Sequence, residues 1–250
     1  MEESDFLDYL AKGGRLTSPA NVPPGYRREL LRLMAGFVDS QLAGAAGFAA
    51  TINRAPSLAG RRLLARLVLE KLGHGETVLD LMAPFGTDPL LYVGLHDWSS
   101  RVERARDLGR QRLPGDMRLN VFHYPLTGWE DALVMNLVMG QASAIQVEEL
   151  AACSYQPLAE ACAEIATTEA EHTRDGANCL AGLIACRHDL EPLRQSLSYW
   201  RSRVAASFGG ADSPRLEPMR RFGLRRNANE ALRARWEAAL DESLRHIGLT

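Results

Sequence analysis

Residues 157–187 read PLAEACAEIATTEAEHTRDGANCLAGLIACR. Cys162, Ile165, Glu169, His172, Gly176 and Cys179 recur at three- and four-residue intervals, the spacing of one face of an α-helix. Pro157 suits the first turn of that helix, where a missing N–H costs nothing. Glu169 and His172 interrupt an otherwise apolar face, and burying them costs free energy unless they pair or hold a metal. The first and fourth residues of a helical tetrad lie about 60° apart around the axis, so both side chains reach one point. Glu-x-x-His is the pattern by which di-metal carboxylate bundles hold their ions. A single copy also satisfies a simpler reading, a buried Glu–His pair.

Three more stripes of the same period flank this one. Leu30, Leu33, Met34, Phe37, Gln41, Ala45 and Phe48 predict a helix over about 26–50. Leu64, Leu67, Val68, Lys71, His74 and Val78 predict a second over about 57–82. Met135, Val138, Met139, Ala142, Ile145 and Gln146 predict a third over about 127–153, with Glu149 near its stripe. Shorter helical regions are expected at 88–112 and 191–208, and a loop at 209–218. A last helix is expected over 228–247, capped by Asn227 with Glu230 as its partner. Residues 1–24, with Gly13-Gly14 and Pro23-Pro24 as breakers, read as an arm, and 25–250 as one helical domain. Four long helices with no convincing strand predict an all-α four-helix bundle with additional helices.

Composition supports this and excludes other classes. Hydrophobic residues make up 46% of 250, enough for a large core. A net charge of −2 argues against a nucleic-acid grip built on bulk positive charge. The most apolar stretch, about 33–50, is broken by Asp39 and Gln41 and reads as a buried helix, so no membrane span is expected. The four cysteines form no C-x-x-C pair, which fits a reducing cytoplasm. Of 29 basic residues only Lys12 and Lys71 are lysine, so a lysine on an inward stripe stands out.

Several motifs in order resemble the phenylacetyl-CoA epoxidase catalytic-subunit family, phenylacetic acid catabolic oxygenases of ferritin-like fold. They are Val22-Pro23-Pro24-Gly25-Tyr26-Arg27, Asn53-Arg54-Ala55-Pro56-Ser57-Leu58, Gly73-His74-Gly75, Phe122-His123-Tyr124-Pro125, Ser154-Tyr155-Gln156-Pro157 and Glu169-Ala170-Glu171-His172. The likeness spans about residues 20–247. It implies a ferritin-like bundle, a di-iron centre, an aromatic acyl-CoA substrate, and assembly as a homodimer or with a related helical subunit. It also assigns ligand positions, and here the chain departs from it. Gln41 and Lys71 stand where the family has glutamates, and Gly140 stands opposite the third-helix carboxylate. His74, Glu169 and His172 remain.

One carboxylate beside an ammonium leaves two ferrous ions under-compensated, which argues against a full di-iron centre. Lys71 can instead fill a metal's space and pair with Glu169. Three readings follow. The first is a divergent subunit or aromatic acyl-CoA binder with a degenerate site. The second is an oxygenase with a rebuilt single-iron site at His74, Glu169 and His172, the two-histidine-one-carboxylate set, with Glu149 as a substitute ligand. The third is a metal-free enzyme using Lys71 as base or nucleophile. His123, Arg225 and Arg226 are candidates for substrate binding.

Overall fold

A computed structural model describes residues 3–249. Among these residues, nine α-helices run α1 Glu3–Ala11, α2 Pro24–Ala49, α3 Leu58–Met82, α4 Pro89–Leu95, α5 Trp129–Ala151, α6 Gln156–Ala185, α7 Glu191–Ser207, α8 Leu216–Arg221 and α9 Asn229–Ile247. Among the described residues there is no strand, only an isolated bridge between Leu16 and Tyr155. Among the described residues, no helix is long and apolar enough to cross a membrane.

Helices α2, α3, α5 and α6 form the bundle, pairing α2 with α3, α5 with α6 and α3 with α6. Their starts follow local chemistry. Pro24 opens α2, and the Ser57 side chain accepts the Gly60 N–H to cap α3. Helix α5 is buried on nearly every side, because α7 and α9 cover the face that the bundle leaves open. Trp200 of α7 and Trp236 of α9 are fully buried there. Trp236 Nε1 donates to the Val138 carbonyl at 3.0 Å, so its polar edge is satisfied. A second core gathers Phe6, Tyr26, Leu30, Met34, Val78, Leu158 and Cys162 between α1, α2, α3 and α6.

Several sequence expectations need correction. The segment 88–112 is helical only over Pro89–Leu95. From there to residue 119 the chain is a loop held by side chains. Asp97 Oδ1 accepts from the Ser99 backbone, a local bond that competes with helix. Asp39 of α2, fully buried, accepts from Tyr92 Oη, Trp98 Nε1 and the Met117 amide. The guanidinium of Arg118 caps the carbonyls of Asp97, Trp98 and Ser100. The expected arm contains helix α1, which buries Phe6 and Leu10. Leu16 then pairs with the α5–α6 connection, donating to the Ser154 carbonyl and accepting from the Gln156 amide. Part of the expected 209–218 loop belongs to α8. Helix α9 begins at Asn229 without a side-chain cap. The amide of Asn227 is spent on Glu149 instead.

Candidate functional site

Gln41 on α2, Lys71 and His74 on α3, and Glu169 and His172 on α6 meet inside the bundle. Glu169 is 1% exposed and is the hub. Lys71 Nζ lies 2.9 and 3.1 Å from its two carboxylate oxygens. Gln41 Nε2 donates to Oε1 at 3.2 Å, and His74 Nδ1 lies at the same distance from it. Lys71 also reaches Gln41 Oε1 at 3.4 Å. Burial raises the Glu169 pKa, but the Lys71 charge and the His74 and Lys71 hydrogen bonds outweigh it, and the net shift is strongly downward.

His172 stands apart from this hub. Its Nε2 pairs with Glu70, one residue before Lys71 on the outer flank of α3. Its Nδ1 is buried and has no hydrogen-bond partner. Burial and then the Lys71 charge push the ring down to about 4, so it is neutral at physiological pH. A neutral ring that donates through Nε2 to a carboxylate carries a bare lone pair on Nδ1. Glu70 escapes a reading of the sequence because it lies off the apolar stripe; its i,i+4 spacing to His74 is the available signal.

Helix α5 brings no carboxylate to the cluster. A Cβ at Gly140 would collide with Thr173 Oγ1, and one at Gly176 with Asn136 Nδ2. These side chains fill the glycine gaps across the α5–α6 seam. Thr173 donates to the Glu169 carbonyl at 2.9 Å and Asn136 to the His172 carbonyl at 3.1 Å. Glu149 points elsewhere. It accepts from the Arg226 and Asn227 amides at 3.0 and 3.1 Å. Burial opposes its ionisation, yet those amides lower its pKa. Among the described residues, no three His, Cys, Asp or Glu side chains gather so as to hold a metal ion.

Gln41, Lys71 and Glu169 form the floor of a cavity of about 700 Å³. Apolar walls include Phe37, Phe48, Phe122, Met135 and Met139. Its rim carries Arg32, Arg110, Arg112, Arg215 and Arg225, with Glu29 and Asp212 as the acidic residues. Burial and then the charges of Arg32 and Arg215 lower the Arg112 pKa, the signature of clustered like charge. Arg225 donates to Gln146 and Asn229, each at 3.3 Å, with the Glu149 charge nearby, and its buried Nε has no hydrogen-bond partner among the described residues. Arg226 and His123 do not line the cavity. His123 is buried behind it, driven to about 4 by burial and the Arg118 charge.

An all-α ferritin-like bundle with a polar hub between its long helices, opening onto an apolar cavity, defines the class of protein. Sequence comparison is specific within that class. The chain matches the phenylacetic acid catabolic protein family over residues 12–250 and belongs to it. It is also 24% identical over 254 residues to one subunit of the 1,2-phenylacetyl-CoA epoxidase of Escherichia coli (strain K12), covering 100% of this chain and 77% of that one.

Proposed function

We propose that this protein is a divergent phenylacetyl-CoA epoxidase-like subunit that binds an aromatic acyl-CoA without the full di-iron ligand set. One observation carries the reading: an ammonium lies on both oxygens of Glu169, at the floor of an apolar cavity rimmed by arginines. The residues present do not fit a di-iron centre. Their central carboxylate is already occupied by a cation, Gln41 offers an amide, and Thr173 fills the space beside Gly140. The cavity has the size of a small-molecule site, and its guanidinium rim suits phosphates. The relative's name supplies the acyl-CoA class, and its being one subunit of an enzyme supports assembly with a different subunit; a related helical partner or a homodimer is part of the proposal. Free cysteines fit a cytoplasmic setting.

A second reading has its own support. The unpartnered Nδ1 of His172, with Glu70 on the opposite nitrogen, is how a metal-bound histidine is usually oriented. If Lys71 swings aside, His74, Glu169 and His172 become the ligands of one iron, and the protein is a rebuilt oxygenase. Elemental analysis after expression in iron- and manganese-supplemented medium, without a chelating tag, separates the two. Background metal together with saturable calorimetric binding of phenylacetyl-CoA supports the first reading. About one metal per chain favours the second, and about two overturns the degenerate site altogether.

A further inference from the structure

We propose that the buried end of the ligand carries an oxygen: the cavity is built for an aryl acyl thioester already hydroxylated on its ring. This rests on the reading that the cavity binds an aromatic acyl-CoA. The arginine rim places the phosphates at the mouth, so the ring end points to the floor. That floor is polar in an otherwise apolar pocket. Gln41, Lys71, Asn136 and Glu169 line it, and all four are buried.

A hydrogen-bond inventory of the floor shows what is left over. Lys71 directs its donors to Glu169 and Gln41. Gln41 spends one of its two amide hydrogens on Glu169. Asn136 spends one of its two on the His172 carbonyl, which leaves its Oδ1 for the cavity it lines. A bare phenyl ring pressed onto this floor strips water from Asn136 Oδ1 and the second Gln41 N–H and returns nothing. A ring hydroxyl donates to the first or accepts from the second. Lys71 and Glu169 neutralise each other, so the floor selects a neutral hydroxyl over a carboxylate. Sites of this kind discriminate strongly against analogues that lack the polar group.

The test is calorimetric titration of the purified protein with phenylacetyl-CoA and with its 3-hydroxy and 4-hydroxy analogues. One hydroxylated ligand is expected to bind at least about tenfold tighter than the parent, the effect of one well-made buried hydrogen bond. Asn136→Ala is expected to shrink that preference from both sides, weakening the hydroxylated ligand by its lost hydrogen bond and tightening phenylacetyl-CoA, whose ring no longer strips water from Oδ1. Should Asn136→Ala fail to fold, Gln41→Met gives the same readout. Equal affinity for all three ligands, or a preference unchanged in the variant, overturns the inference and leaves the acyl-CoA reading standing. Binding of none of them overturns that reading as well.

Discussion

Glu169 accepts from Lys71, Gln41 and His74 within 3.2 Å while almost wholly removed from water. A carboxylate there is tolerable only because a full positive charge shares its burial. Lys71→Met removes that charge and keeps the volume. The expected cost is about 3–5 kcal/mol in urea-induced unfolding, because an uncompensated buried anion remains. Adding Glu169→Leu should recover much of it, since replacing both partners with apolar groups can be near neutral. A loss below about 1 kcal/mol for Lys71→Met, the range of exposed pairs, would mean that water reaches Glu169 and that the pair is not structural. Gln41, Lys71, His74, Glu169 and His172 are legible in the sequence because each interrupts an apolar stripe. Glu70 is not, since it lies off the stripe and reaches His172 across two helices. Arg110, Arg112 and Arg215 are equally hidden, because loops and not helical periodicity bring them to the cavity.

At the scale of elements, the four long helices follow from spacing alone, whereas the 96–119 segment does not. Its conformation is set by Asp39, far away in sequence, and no local pattern reports a partner on another helix. The α5–α6 seam is another long-range feature. Two glycines and two polar side chains interlock there, Gly140 with Thr173 and Gly176 with Asn136. The absence of a side chain at 140 is therefore part of the packing. Gly140→Ala is expected to lower stability by about 1–3 kcal/mol despite the better helix propensity of alanine, the cost of overpacking. Thr173→Ala in the same chain should restore most of it, and thermal unfolding of the two single variants and the double measures the coupling. Additive effects would show that the collision is relieved elsewhere. The seam also bears on any attempt to build a carboxylate into the site. A carboxylate placed at 140 needs a smaller residue at 173, so substituting Lys71 alone does not rebuild a ligand set.

Across the whole molecule, the buried titratable groups give stability a defined pH dependence. His172 and His123 are both driven to about 4 in the folded chain, against an ordinary value of about 6.5 in the unfolded one. As pH falls below about 6.5 the unfolded state takes up protons that the folded state refuses, so stability declines until both states are protonated near pH 4. The carboxylates act lower. Asp116, Asp131, Glu149 and Glu169 are depressed in the folded chain, so their contribution is present above the unfolded carboxylate range of about 4 and is lost on further acidification. The expected profile of urea midpoints is flat near neutrality, falls between about pH 6.5 and 4, and falls further below that. Replacing both histidines by glutamine should flatten the first decline and leave the second, whatever the replacements do to absolute stability. A midpoint that stays level from pH 7 to 4.5 in the parent protein would show that one or both rings bind a proton in place. For His172 that proton can only go to its unpartnered nitrogen, which a bound cation would equally occupy. Repeating the profile with added ferrous or zinc ion therefore reads the same atom by competition. Metal that raises the midpoint at pH 7, loses its effect towards pH 4 and has none in a His172→Gln variant locates binding at His172, and a metal-independent profile supports the Lys71–Glu169 pair as the charge that fills the hub.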